Sequence, residues 1–168
     1  MRQSLLDYLA CPYCSSPLAV EPGEIDGEEI MTGALTCSQC TDRYAIVGGI
    51  PRMNSAMSGL ENVQRTFDWE WQAHHAGTFE SETLFGRTPD QDWDMFLDGT
   101  GATPQRLRGA VVLDAGCGSG AFTRLIADRS AAEAVIGVDM IDAVDQAYAS
   151  TRDRPNVHIV QGNVFALP

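Results

Sequence analysis

The stretch Val111-Val-Leu-Asp-Ala-Gly-Cys-Gly-Ser-Gly-Ala121 decides how this chain is read. Residues 111–113 are apolar and short enough for a buried strand, and Gly116, Gly118 and Gly120 follow in a tight run. Phe122, Leu125 and Ile126 then fall on one face of a helix over 121–128. A strand that enters a helix through a glycine-rich turn opens a βαβ unit. The glycines let a ligand approach the backbone, because any side chain would occupy its space. Downstream the pattern repeats. Residues 134–138 predict a second strand, Ala143, Val144, Ala147 and Tyr148 mark a second helix, and 157–160 predict a third strand. The alternation makes the fold class α/β, with three parallel strands forming half of a doubly wound sheet. His158 sits inside the third strand and reads as a packed histidine.

With Ala121 in the third-glycine position, the loop satisfies the G-x-G-x-x-G/A dinucleotide fingerprint. Three features turn the reading toward S-adenosylmethionine (SAM). Asp114 lies two residues before Gly116, where a carboxylate repels a pyrophosphate but attracts the ammonium and sulfonium of SAM. The glycines themselves permit close approach. Asp139 ends the second strand, 23 residues after Gly116, where an acidic residue accepts hydrogen bonds from the ribose hydroxyls. Ile141 is placed to cover one face of the adenine, and Asn163 ends the third strand with a carbonyl that can accept from the adenine amino group.

A second signal lies near the start. Four of the five cysteines form two pairs, Cys11-Pro-Tyr-Cys14 and Cys37-Ser-Gln-Cys40, with 22 residues between the pairs. Each C-x2-C turn points two thiolates at one ion, and two such turns complete a tetrahedral zinc site. Four cysteine ligands leave no open position for water, so the zinc is expected to be structural. The rivals are two disulfides, which require an oxidising compartment, or a redox C-x-x-C. Around the cysteines, short strands are predicted at 17–20, 29–36 and 43–47, and a short helix or turn at 4–9. The acidic loop 21–29 reads as a solvated turn, and Gly48-Gly49-Ile50-Pro51 as the end of the unit.

Between the two signals, Leu60, Val63, Phe67, Trp71 and His74 fall at helical spacing, and a second apolar group follows at 92–97. These read as helices that pack on the next unit, with a lid as the alternative; adjacent His74 and His75 point to different sides of a helix and do not share a metal easily. A loop is expected over 99–104. The expected organisation is a zinc ribbon over 1–56, a helical linker or lid over 57–108, and a nucleotide-type α/β unit over 109–168.

Composition limits the partners. The chain has 168 residues, 23 acidic against 11 basic, and a formal charge of −12. All the basic residues are arginine. A zinc tetrathiolate moves the charge to about −14. Such a chain offers phosphate backbones no broad attractive field, which argues against a nucleic-acid partner. No apolar run approaches a membrane span, and the first ten residues do not read as a signal peptide, so the expected compartment is the cytoplasm.

Taken together, D-A-G-C-G-S-G, V-I-G-V-D and Q-G-N-V-F-A-L-P over 110–168 resemble the class I SAM-dependent methyltransferases, Rossmann-like enzymes that transfer a methyl group by in-line displacement. The resemblance implies that Asp114 and the 116–120 loop, including Cys117, hold the methionine part of SAM, that Asp139 holds the ribose and that Asn163, where the family usually has Asp, holds the adenine. The cysteine-bearing part, with G-A-L-T-C-S-Q-C and Y-A-I-V-G-G-I-P, resembles the zinc-ribbon activator subunit shared by several tRNA, rRNA and release-factor methyltransferases. Some bacterial methyltransferases of unknown acceptor are similar in carrying this same order, with a linker Trp near Phe67-Asp-Trp-Glu-Trp71. The family's sheet has seven strands, of which three are read here. Catalytic and acceptor-binding residues are therefore expected after Pro168, and this chain alone is expected to bind SAM weakly or undetectably and not to turn over. The fourth strand would lie beside 111–113, leaving that strand as an open apolar edge for self-association or a protein partner. The implied activity is methyl transfer to a small-molecule or lipid-like acceptor. The alternatives are a zinc-finger rRNA guanine methyltransferase, a non-enzymatic zinc-ribbon interaction module and, last because of Asp114, a nicotinamide oxidoreductase.

Overall fold

The computed structural model describes residues 1–54 and 87–168. After a 3-10 helix at Gln3–Tyr8 come strands β1 (Leu18–Pro22), β2 (Ile25–Asp26), β3 (Glu29–Ile30), β4 (Thr32–Cys37), β5 (Arg43–Val47) and β6 (Ile50–Met53). Helices α1 (Pro89–Thr100) and α2 (Pro104–Leu107) precede the unit β7 (Val111–Ala115), α3 (Ala121–Arg129), β8 (Ala134–Asp139), α4 (Val144–Thr151) and β9 (Val157–Gly162). The predicted βαβαβ order is present, and its three strands are parallel.

The stretch read as one strand over 29–36 breaks at Met31, whose N–H turns to the carbonyl of Glu24 at 2.8 Å. Glu29–Ile30 therefore pairs with β2, and Thr32–Cys37 with β1 and β5. The helical residues Leu60, Val63, Phe67, Trp71, His74 and His75 lie outside the described residues. Helix α1 begins with a capping box between Thr88 and Gln91, carries Trp93 and Phe96 stacked at 5.4 Å, and packs them on the core beside α3. It runs through Thr100 to a left-handed Gly101, so the loop expected from residue 99 starts later.

The main departure from the sequence reading lies at 48–53. Gly48 and Gly49, with φ of +59° and +81°, form a two-residue hairpin turn, and the chain does not leave the sheet there. A side chain on Gly49 would run into the Tyr148 ring of α4. β6 then pairs antiparallel with β5 on one side and parallel with β9 on the other, in the register Arg52↔Gln161 and Met53↔Gly162. Pro51 has no N–H to give, and it sits just before the parallel pairing begins. Among the described residues this joins both halves in one sheet, ordered β1-β4-β5-β6-β9-β8-β7.

The joined sheet has two covered faces. On one, Met1, Leu5 and Leu9 from the N-terminal segment pack with Leu35, Ile46 and Met53 of the ribbon and with Ile136, Val138 and Val160 of β8 and β9. On the other, Ile50 of the ribbon packs with Val135, Ile159, Ile126 of α3 and Val144 and Ala147 of α4. β8 and β9 are buried along nearly their whole length, as interior parallel strands are. Polar contacts reinforce the joint. The Arg2 guanidinium donates to the carbonyls of Arg152, Arg154 and Val157 just past α4, at 2.7, 3.1 and 3.3 Å. It also pairs with Glu29, which accepts from the Tyr148 hydroxyl. As expected, His158 is packed; burial holds its pKa down at about 4, and the nearby Arg2 charge adds to the effect.

Met53 and Val160 are fully buried on the shared face. Met53→Ala should therefore cost about 2–5 kcal/mol. Urea unfolding followed by hydrogen exchange should show one transition in which 134–139 and 157–162 open together with β4–β6. Two separated transitions would mean that the halves are independent.

Candidate functional site

The glycine loop forms where β7 ends, and it is fastened to the end of β8. The N–H groups of Gly116 and Cys117 donate to the Val138 carbonyl at 2.8 and 3.1 Å. Gly118 N–H donates to Asp139 Oδ2 at 2.8 Å, and Ile141 N–H to Asp139 Oδ1 at 3.1 Å. The carboxylate of Asp139 is thus fixed by two backbone donors, and each oxygen retains a lone pair for a further donor. Asp114 is held from the other side, by the Thr123 hydroxyl at 2.6 Å. Burial raises the Asp114 pKa above the ordinary carboxylate range; the Thr123 hydrogen bonds pull it back, and the negative Asp139 pushes it up again. Two carboxylates beside a glycine loop form a site that favours a cation.

The glycines have different jobs. Gly116, at φ +86°, would place a Cβ in open space, so its positive φ serves the turn and leaves the loop's outer side clear. Gly120, at φ +81°, would drive a Cβ to within 2.9 Å of Ala147 Cβ, so it permits α3 to pack against α4. Cys117 is 8% exposed, and its thiol is pushed up by burial and by the charges of Asp114 and Asp139. A thiolate nucleophile is thereby disfavoured, and what this residue presents to a ligand is backbone. Ile141 is buried with Met140 and Ala143 in a small cluster after β8. Asn163 follows β9, and its carbonyl already accepts from Phe165 N–H at 2.9 Å.

Sequence reading missed the polar chain that links the ribbon to this site. Arg52 Nη1 donates to Gln161 Oε1 at 3.1 Å, and its other nitrogen pairs with Asp145 at 2.5 Å. Gln161 Nε2 reaches the Met140 carbonyl at 3.3 Å and Asp142 at 3.0 Å, while Asn54 Nδ2 donates to the same Met140 carbonyl at 3.0 Å. A Gln inside a fully buried strand is the signal that could have announced this chain.

At the ribbon tip, the sulfurs of Cys11, Cys14, Cys37 and Cys40 lie within 4.8 Å of one another. Cys11–Cys40, Cys14–Cys40 and Cys14–Cys37 are 3.7, 3.8 and 3.4 Å apart. Tetrahedral Zn–S bonds of about 2.3 Å require sulfurs roughly 3.8 Å apart, whereas a disulfide requires about 2.05 Å. The donor set therefore fits a four-thiolate zinc. The Tyr44 hydroxyl lies 3.2 Å from Cys11 Sγ, and the N–H groups of Gln39 and Cys40 point at Cys37 Sγ from 3.4 Å, supplying the outer hydrogen bonds that orient thiolate ligands.

Residues 112–168 match the family model of a methyltransferase domain, and residues 2–49 that of the Trm112p-like proteins. The C-terminal part is thus a methyltransferase domain of the class I, SAM-dependent kind. Among solved structures, a complex between the Haloferax volcanii Trm112 methyltransferase activator and a methyltransferase is 38% identical over 33% of this chain and 93% of that one, with a TM-score of 0.32. The Trypanosoma brucei PRMT1 enzyme–prozyme complex with AdoHcy is 27% identical over 48% of this chain and 25% of that one, at a TM-score of 0.36. Arabidopsis thaliana protein arginine methyltransferase 10 is 24% identical over 48% of this chain and 24% of that one, at 0.34. This chain thus spans about a quarter of the length of those two methyltransferases. No curated protein matches it. One polypeptide thus carries a Trm112p-like part over 2–49 and a methyltransferase domain over 112–168.

Two outcomes follow from this geometry. Elemental analysis of reduced protein should find one zinc per chain, and Cys37→Ser should abolish it; protein purified without metal would remove the zinc assignment. Because the two halves share one sheet, Cys37→Ser should destabilise both. SAM binding should also weaken as pH falls. A cationic ligand favours ionised Asp114, so affinity is full above the raised Asp114 pKa and is lost on acidification through it. Calorimetric titration from pH 7.5 downward should show this, with a flatter profile in Asp114→Asn.

Proposed function

We propose that this chain is the SAM-binding part of a methyltransferase whose activator-type ribbon acts in cis, and that the methyl acceptor is a small or lipid-like molecule. The observation that carries the reading is the pairing of Asp114 and Asp139 around the glycine loop. A pyrophosphate cofactor would meet two carboxylates there, whereas the ammonium and sulfonium of SAM offset them. When bound, SAM supplies an electrophilic methyl carbon on its sulfonium. In this reading the 116–120 backbone and Asp114 hold the methionine end, Asp139 accepts from the ribose hydroxyls, and Ile141 lines the adenine. The ribbon's four cysteines hold a structural zinc, which suits the reducing cytoplasm.

The formal charge of −12 weighs against an RNA acceptor. Val111 and Leu113 of β7 are 48% and 47% exposed on a strand paired only with β8 among the described residues. That edge is suited to pairing with a further strand, whether from a protein partner or a second copy. No described helix is long and apolar enough to cross a membrane.

Asp139→Ala should weaken SAM about ten- to hundredfold, as loss of roughly 1.5–3 kcal/mol of hydrogen bonding to a charged group predicts. Equilibrium dialysis with millimolar SAM and NAD side by side measures this. Preference for NAD, or equal SAM affinity in parent and variant, would contradict the reading.

A further inference from the structure

Near the end of β9 a buried glutamine touches both halves of the chain, and its amide has one permitted orientation. The register pairs Arg52 with Gln161 and Gln161 with Asp139, so the three stand in one row across β6, β9 and β8. Gln161 is 7% exposed. The Arg52 guanidinium can only donate, so the Gln161 atom 3.1 Å from it is Oε1. The Met140 carbonyl and the Asp142 carboxylate can only accept, so Nε2 faces them, at 3.3 and 3.0 Å. A flipped amide would set donor against donor on one side and acceptor against acceptor on the other. Without Arg52, the buried oxygen loses the donor that fixes this orientation. What the amide grips is the turn that carries the ribose-binding candidate. Ile141 N–H, between Met140 and Asp142, donates to Asp139 Oδ1, and Asp139 Oδ2 accepts from Gly118 N–H. A shift of 140–142 therefore moves a donor of Asp139, and through Asp139 it loosens the glycine loop. Gln161 itself stays inside the sheet and meets no ligand.

We propose that Arg52, contributed by the zinc-ribbon half, is a positioning residue of the cofactor site: it fixes the Gln161 amide, which holds the 140–142 turn so that the Asp139 carboxylate meets the ribose hydroxyls. The inference rests on the SAM reading above. It gives the ribbon a part in ligand affinity that is separate from its packing on the shared sheet. It also makes the ribose end of the site, and not the methionine end, the part that responds to the ribbon.

The test uses the whole chain and two probes, S-adenosylhomocysteine and its 2′-deoxy counterpart, in equilibrium dialysis at up to millimolar concentration. The ratio of the two affinities reads the ribose contact and does not depend on how much of the protein is folded. The parent should prefer the ribose probe by about tenfold or more. Arg52→Ala should lower that ratio at least about threefold. Gln161→Glu should do the same, because it keeps an acceptor for Arg52 but turns a second acceptor on Met140 and Asp142. Met53→Ala loosens the same joint by packing alone and should keep the parent ratio. In an Asp139→Ala background the ratio should be close to one, and Arg52→Ala should lower it no further. A ratio kept in both Arg52→Ala and Gln161→Glu, or lost equally in Met53→Ala, overturns the proposal and leaves the SAM reading intact. A parent that binds neither probe overturns both. Because the variants could unfold, the parent is also followed by NMR with its glutamine carboxamides labelled. The Gln161 side-chain protons should be protected from solvent exchange, and rapid exchange in the folded parent sinks the idea without any variant.

Discussion

The structure depends on one short ladder, the parallel pairing of β6 with β9 at Arg52↔Gln161 and Met53↔Gly162. Without it, β9 would present an unpaired edge and the ribbon would end at a glycine turn. With it, each half covers an open edge of the other. The pairing also fixes which face each ribbon side chain meets. Ile50 is delivered to the helix-covered face and Met53 to the face covered by Met1, Leu5 and Leu9. The polar chain from Arg52 through Gln161 to the Met140 carbonyl then follows from the register, because it places a guanidinium opposite the one glutamine of β9.

Electrostatics at the carboxyl ends of β7 and β8 sets the chemistry. Backbone N–H groups are spent on Asp139, and the Thr123 hydroxyl is spent on Asp114, which leaves two fixed carboxylates and an unobstructed glycine loop. Preorganisation of this kind keeps the acids in place before a ligand arrives. It favours a positively charged cofactor over a phosphate-bearing one, in keeping with the methyltransferase family model that covers the same residues.

The fold's two halves were legible because their signals are local. The C-x2-C pairs predict the sulfur cluster, and the strand–glycine–helix alternation predicts β7 to β9. Asp114, the glycine loop and Asp139 were placed correctly on elements. Their hydrogen-bond partners were not, since Thr123 and Val138 meet them only through the tertiary fold. What could not be read was the joint. Gly48, Gly49 and Pro51 carry the composition of a terminus, and nothing local distinguishes a turn that ends a sheet from one that lets it continue. The register that brings Arg52 to Gln161 is set by contacts more than a hundred residues apart in sequence.

The central claim is that ribbon and methyltransferase part are one cooperative body joined through β6 and β9. Hydrogen exchange of the intact chain before and after zinc chelation addresses it directly, read at the amides of 134–139 and 157–162. The account predicts that chelation exposes β9 first and then β8, in step with β4 to β6. Unchanged protection in β8 and β9, with exchange confined to residues 1–54, would contradict it.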